Sequence, residues 1–161
     1  MNLLTVNIET NRLLLMPISN NYFEEINKLF ISQKIKSTAK KFTEKTKDTK
    51  IFIEESLERL INGIDLQMII LNKGTNEFIG LIGLYKLNTL EPFVKISTIK
   101  LFHKNGYGLE AMNGIIEWAK RNIKYNYIYY DFNKSKIKNK KASEEKISET
   151  MKIIKANKKR E

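Results

Sequence analysis

The chain has 161 residues, 29 basic against 18 acidic, for a formal charge of +11, with one histidine and no cysteine. That length suits one domain whose core can stand without disulfides, and the missing thiols exclude a disulfide framework, a cysteine nucleophile and a thiolate metal site. One histidine, His103, is too few for a histidine-built zinc centre or a Ser-His-Asp arrangement, so no metal site is expected.

In chain order, residues 5–18 read as a strand ending at Pro17. Asn21 with Glu24 makes a capping box for a first helix over Asn20 to Phe30, with Phe23, Ile26, Leu29 and Phe30 on its apolar face. Residues 31–48 are polar and predicted irregular. Asp48 then caps a second helix running through Ile61, with Gly63 just past its end. Two strands follow, Leu66 to Leu71 and Glu77 to Leu87, joined by a hairpin turn at residues 72–76. Leu90-Glu91-Pro92 leads to a third strand, 93–101. After a glycine-bearing turn, Leu109, Met112, Ile116 and Ala119 recur at helical spacing through Arg121. Tyr125 to Phe132 is an aromatic strand, Ala142 to Thr150 suits a short helix, and residues 153–156 have room for one short strand. The class is α+β, a mainly antiparallel sheet flanked by helices, with a shortened or irregular C-terminal end. Residues 1–150 make the domain and 151–161 a basic tail.

The strand-turn-helix at residues 93–121 carries the chemistry. Amides at a helix start lack intrahelical partners and face a positive dipole end, which suits a phosphate or pyrophosphate. The turn is no P-loop, since no Lys-Ser or Lys-Thr follows its glycines, and Lys104 breaks the dinucleotide fingerprint. Residues 103–108 resemble the Gln/Arg-x-x-Gly-x-Gly/Ala loop of the GNAT superfamily of acyl-CoA N-acyltransferases, with His103 in the Gln/Arg position. Gly106-Tyr107-Gly108-Leu109-Glu110-Ala111 is similar to the version in the RimJ/RimL-type branch, which includes ribosomal-protein N-terminal acetyltransferases. Residues 10–18 resemble that branch's opening Thr-Glu-Arg-Leu-x-Leu-Arg-Pro-Leu, and residues 78–84 its Ile-Gly-x-Ile-Gly-Leu strand. The matches fall in family order and cover residues 5 to about 147. The C-terminus departs: Asn139-Lys140-Lys141-Ala142-Ser143 has one residue more than the family's Asn-x-x-Ser, and Met151-Lys152 stands where a glycine is usual.

The resemblance implies an N-acetyltransferase that takes acetyl-CoA between the strand ending near Leu101 and the strand beginning near Tyr125. The amides of Ile99, Lys100 and Leu101 would meet the pantetheine and acetyl carbonyl. The loop His103, Lys104, Asn105, Gly106, Tyr107 and Gly108 would meet the pyrophosphate, with Lys100 and Lys104 adding charge and Asn139 on the CoA side. Ser143 is the implied acid facing the thiolate, or else a helix cap. Tyr129 and Tyr130 are alternatives, of which at most one can face the site. Where the branch has a carboxylate near the start of the third central strand, this chain has Lys95. Glu91 is then the nearest candidate general base, with a water chain as substitute.

The implied acceptor is a primary amine on a protein N-terminus or a small molecule. Lys95 and the altered C-terminus make a noncatalytic CoA-binding protein the alternative. A basic nucleic-acid-binding module is the third: Tyr125, Tyr127 and Tyr129 are strand aromatics, but no RNA-recognition motif accompanies them. Specific nucleic-acid binding is not expected, because the lysines are scattered except in residues 134–141 and 152–160. No apolar run approaches the about 20 residues of a membrane span, and the N-terminus lacks a signal-peptide pattern, so a cytoplasmic protein without a membrane partner is expected. A sheet ending at Phe132, or gaining only Ile153-Ile154, leaves an open edge. Either a homodimer covers that edge or the chain beyond about Thr150 stays outside the fold.

Overall fold

The computed structural model describes residues 1–34, 42–131 and 151–155. Strands β1 (Ile8–Glu9) and β2 (Leu13–Pro17) are followed by helices α1 (Phe23–Lys34) and α2 (Phe42–Ile61). Then come β3 (Leu66–Asn72), β4 (Phe78–Tyr85), β5 (Phe93–Thr98), helix α3 (Tyr107–Asn122), β6 (Tyr127–Asp131) and β7 (Met151–Lys155). The seven strands form one sheet in chain order. Every neighbouring pair is antiparallel except β5 and β6, which run parallel. The expected α+β class and mainly antiparallel sheet are therefore what the chain adopts. No helix among the described residues is long and apolar enough to cross a membrane.

Strand alternation gives the sheet two apolar faces. On β3, Leu66, Met68 and Ile70 join the core that holds Ala111, Met112, Ile115, Ile116 and Ala119 of α3. Ile69 and Leu71 point the other way, to Ile26 and Leu29 of α1 and Ile53 of α2. Between Gly80 and Phe78 the register of β4 against β3 skips Ile79, a bulge of the kind that bends and twists a strand.

Several sequence expectations change. Residues 5–18 are not one strand: Leu3–Thr5 is a 3-10 turn, and β1 folds back on β2 through Asn11-Arg12, with Thr10 N–H donating to Leu13 O. Asn11 was the available turn signal. The capping box does not form. Ser19 instead caps a 3-10 turn at Asn20–Tyr22, and α1 continues to Lys34. Helix α2 begins at Phe42, so Asp48 lies inside it, where tertiary packing overrides weak local preference. Its C-terminus is as expected: Gly63 takes φ +68°, with Gly63 N–H on Leu60 O and Ile64 N–H on Arg59 O. Leu109 is 46 % exposed rather than inward. Strand β7 pairs along the whole of β6, from Tyr127 with Lys155 to Asp131 with Met151, so the sheet takes in the start of the expected tail. The helix expected over 142–150 lies outside the described residues.

Candidate active site

Strands β5 and β6 pair only at Phe93 with Tyr129 and Val94 with Tyr130. The described part of β6 ends at Asp131, while β5 runs on to Thr98, still paired with β4. Ile99 N–H donates to Ile79 O on one side, and Tyr129 N–H donates to Pro92 O on the other. Peptide groups alternate along a strand, so odd residues of β5 face β4 and even residues face β6. The N–H and C=O of Ile96 and Thr98 therefore point into the gap on the β6 side, past Asp131, the last described residue of that strand. His103 Nε2 lies 3.0 Å from Thr98 O. A carbonyl only accepts, so in this contact Nε2 carries the proton.

The gap leads to the start of α3. Its first helical bond runs from Glu110 N–H to Gly106 O, which leaves the amides of Tyr107, Gly108 and Leu109 without intrahelical partners. Gly106 sits at φ +76°, in the left-handed region that a β-branched residue avoids. A side chain at Gly108 would project toward Ile96, whose Cδ1 is 3.7 Å from an added Cβ. Lys100 and Lys104 are exposed beside the loop.

The opening segment holds this loop in place. Glu110 accepts from Thr10 Oγ1 at 2.6 Å, from the Arg12 amide at 2.7 Å and from Arg12 Nε at 2.7 Å. Arg12 NH1 also donates to Asn105 O at 2.9 Å, and its guanidinium lies 4.5 Å from the centre of the Tyr107 ring. Burial pushes the Glu110 carboxyl up, but the hydrogen bonds from Thr10 and Arg12, with the guanidinium charge, outweigh it and hold the group below the usual carboxylate range. Glu110 is thus a fastener, and its lone pairs are committed.

On the opposite sheet face, a cavity of about 210 Å³ lies between α1, α2 and strands β3 to β5. Phe30, Gln33, Phe52, Gln67, Leu81, Tyr85, Lys95, Ile96 and Ser97 line it. Because Ile96 both lines this cavity and turns its peptide toward the β6 side, the cavity abuts the gap. Gln33 Nε2 donates to Ser97 Oγ, and Tyr85 donates its hydroxyl to Gln67 Oε1. Gln67 Nε2 in turn donates to Ile82 O at 3.2 Å, which fixes the amide's orientation. Burial, with the charge of Asp65 behind it, pushes the Tyr85 hydroxyl up to about 12, against a smaller opposing pull from Arg59. At neutral pH Tyr85 is a donor. Its ring lies over Gly83, where an added Cβ would fall 2.5 Å from Tyr85 Cε2.

A profile of the acetyltransferase (GNAT) domain matches residues 12–145. The chain belongs to the GNAT acetyltransferase family. Among solved structures it is similar to an acetyltransferase from Salmonella typhimurium that modifies the N-terminal serine of the 50S ribosomal protein L7/L12. Identity there is 12 %, over 81 % of this chain and 78 % of that one, with a TM-score of 0.65. It is also similar to the microcin C7 self-immunity acetyltransferase MccE, solved with acetyl-CoA and AMP, at 19 % identity, 79 % and 73 % coverage and a TM-score of 0.64. FdhC, a nucleotide-linked-sugar GNAT solved without ligand, gives 20 %, 83 % and 76 %, and 0.67. At these identities the likeness is one of fold. No individually curated protein is similar enough in sequence to count as a relative.

The GNAT fold brings some sequence candidates together and separates others. Residues Lys100, Leu101 and His103 to Gly108 gather at the end of the gap. Ile99 is a correction: its amide is occupied by Ile79 O, and the strand peptides that face the gap are Ile96 and Thr98. The odd-even phase of β5 decides this, and composition does not reveal it. Tyr130 pairs with Val94 beside the gap, and its ring packs against the α3 core. Tyr129 faces away, its ring 6.4 Å from that of Tyr127. Glu91 is not brought to the gap. It sits exposed at the start of β5, lining a separate recess with Lys86, Thr89, Leu90 and Asn126. Ser143 and Asn139 lie outside the described residues. Gln33, Gln67, Tyr85 and Ser97 were missed, because four separate segments supply them and none carries a motif. A larger cleft of about 450 Å³ lies between β1 and α3, but its Glu110 is already bonded to Thr10 and Arg12. No group of three or more acidic or histidine side chains that could hold a metal occurs among the described residues.

Proposed function

We propose that this chain is an acetyl-CoA-dependent N-acetyltransferase acting on a primary amine, of a protein N-terminus or a small molecule. The observation that carries the proposal is that the β5 peptides of Ile96 and Thr98 face the β6 side next to the start of α3, whose first amides lack intrahelical partners. The residues fit the cosubstrate. Ile96 and Thr98 offer strand peptides to an extended amide-bearing arm. The amides of Tyr107 to Leu109 offer the donors and dipole end that a pyrophosphate needs, and Lys100 and Lys104 add positive charge. Bound acetyl-CoA supplies an acetyl thioester whose carbonyl carbon gains the amine nitrogen as it loses the thiolate, while the amine gives up a proton and the sulfur takes one.

The chain's own part is placement. The strand holds one reactant and the cavity beside Ile96 the other, so the reaction becomes effectively unimolecular. Tyr130, paired with Val94 beside the gap, is our candidate donor toward the sulfur; Ser143 stands as the alternative. With no carboxylate among the residues lining the cavity, water relayed past Ser97 and Gln33 removes the amine's proton. The enzyme works in the cytoplasm, has no specific nucleic-acid partner, and can pair with a second copy of itself.

The test is release of CoA in the presence of peptides, amino acids and polyamines, run beside calorimetric titration with acetyl-CoA. Binding together with turnover of at least one amine is expected. Absence of binding contradicts the proposal. A second reading, cosubstrate binding without transfer, draws on one observation: Lys95 lines the cavity, at the position where the resemblance to the RimJ/RimL-type branch leads one to expect a carboxylate. Binding with no turnover of any amine supports it.

A further inference from the structure

Among the described residues, Lys95 is the one charged side chain that lines the cavity beside Ile96, and it is exposed at the cavity's mouth. Its ammonium lies 5.3 Å from the centre of the Phe93 ring and 5.9 Å from that of Tyr85, and those two rings stack 5.1 Å apart at 18°. Among the described residues it has no carboxylate partner. The other polar groups there are neutral and already oriented: Tyr85 on Gln67, and Gln33 on Ser97.

Such a cavity is a poor host for a plain cationic amine. An ammonium entering it meets Lys95 and finds no negative group among the described lining residues. A polyamine or a lysine side chain would carry its charge against another of the same sign. The balance reverses for an acceptor that brings its own anion. A carboxylate or phosphate a few ångströms from the amine pairs with Lys95 and with the acceptor's own ammonium, while Ser97 and Gln33 take its remaining polar atoms. At about 210 Å³ the cavity suits a group the size of one amino acid.

We propose that the acceptor is a small anionic amine, its amino group close to a carboxylate or phosphate of the same molecule, and that Lys95 is the residue that selects it. The proposal rests on the acetyltransferase reading, and its test separates the two. CoA release from acetyl-CoA is followed for matched pairs that differ in the anion: amino acids against their amides, and 2-aminoethyl phosphate against ethanolamine. The first pair reports carboxylate, the second phosphate. The anionic member of at least one pair is expected to have a kcat/KM at least about 10-fold higher, the size of one charge-assisted contact. Lys95→Met, which keeps the apolar stem, should shrink that preference toward unity, and Lys95→Glu should invert it. Neither should change acetyl-CoA affinity by calorimetry.

A neutral member used as well as its anionic partner, or a preference that survives Lys95→Glu, overturns the proposal. If no pair turns over, the same compounds are titrated into CoA-saturated protein. Equal binding within every pair, or binding by no anionic member, overturns it too. Failure of the wild-type chain to bind acetyl-CoA defeats the acetyltransferase reading instead, and calorimetry shows that before any acceptor is added.

Discussion

The two faces of the sheet offer different kinds of contact. On the α3 face the free groups are main-chain ones: peptides of Ile96 and Thr98 and amides at the start of α3, with Arg12 and Glu110 fixing the loop from behind. On the α1–α2 face, side chains from four segments converge: Gln33, Gln67, Tyr85 and then Lys95 with Ser97. Main-chain recognition suits a partner that does not vary, because it needs only glycines and a fixed turn. Side-chain recognition can be rebuilt residue by residue, so it is where one family member comes to differ from another.

The sharpest way to break this contrast is to loosen the fastener. Glu110→Ala removes three hydrogen bonds and leaves the Arg12 guanidinium and amide short of a partner, with solvent screening limiting the loss at the 42 % exposed Arg12 side chain. We expect about 2 kcal/mol of destabilisation in urea unfolding, with acetyl-CoA affinity falling as well. An unchanged midpoint would show that the fastener is ornamental.

Next in size is Gly106→Val. The φ of +76° suits a β-branched residue badly, and an added Cβ falls 3.4 Å from the Arg12 guanidinium that braces the loop. Calorimetry should show acetyl-CoA affinity lower by at least about 10-fold, with circular dichroism confirming a folded chain. Gly83→Ala should do the reverse. Its Cβ would displace the Tyr85 ring from its place beside Gln67, so acceptor KM should rise several-fold while acetyl-CoA affinity holds. Equal damage to both ligands by either variant would erase the distinction between the faces.

The smallest effect concerns pH. Glu110 titrates below the usual carboxylate range in the folded chain, so its contribution is complete above its unfolded pKa and is lost as pH falls through its folded one. Stability of the wild type should therefore drop on acidification more than that of Glu110→Gln. Parallel pH profiles for the two would contradict the assignment.

The legible part of this molecule was the part built from local rules. Gly106 and Gly108 between an alternating strand and a periodic helix mark the loop, and Gly63 marks the end of α2. Thr10, Arg12 and Glu110 were visible only as separate stretches of resemblance, and the structure explains their co-occurrence by direct contact. What sequence hid was phase and distance. The odd-even register that aims Ile96 and Thr98, rather than Ile99, into the gap depends on β5 pairing with β4. The turn at Asn11-Arg12 lacks a glycine, and α2 begins at Phe42, ahead of Asp48. Glu91 looked near the site by residue count, yet it stands at the far end of β5.

The central claim is that the cosubstrate lies in the gap beside β5 and ends at the start of α3. The most direct measurement is amide chemical-shift perturbation as CoA is titrated into the labelled chain. The account predicts the largest shifts at Ile96, Thr98 and residues 104–109, with those of Ile8, Thr10 and Asn113 small. Shifts concentrated in the cleft between β1 and α3, with Ile96 and Thr98 unmoved, would contradict it.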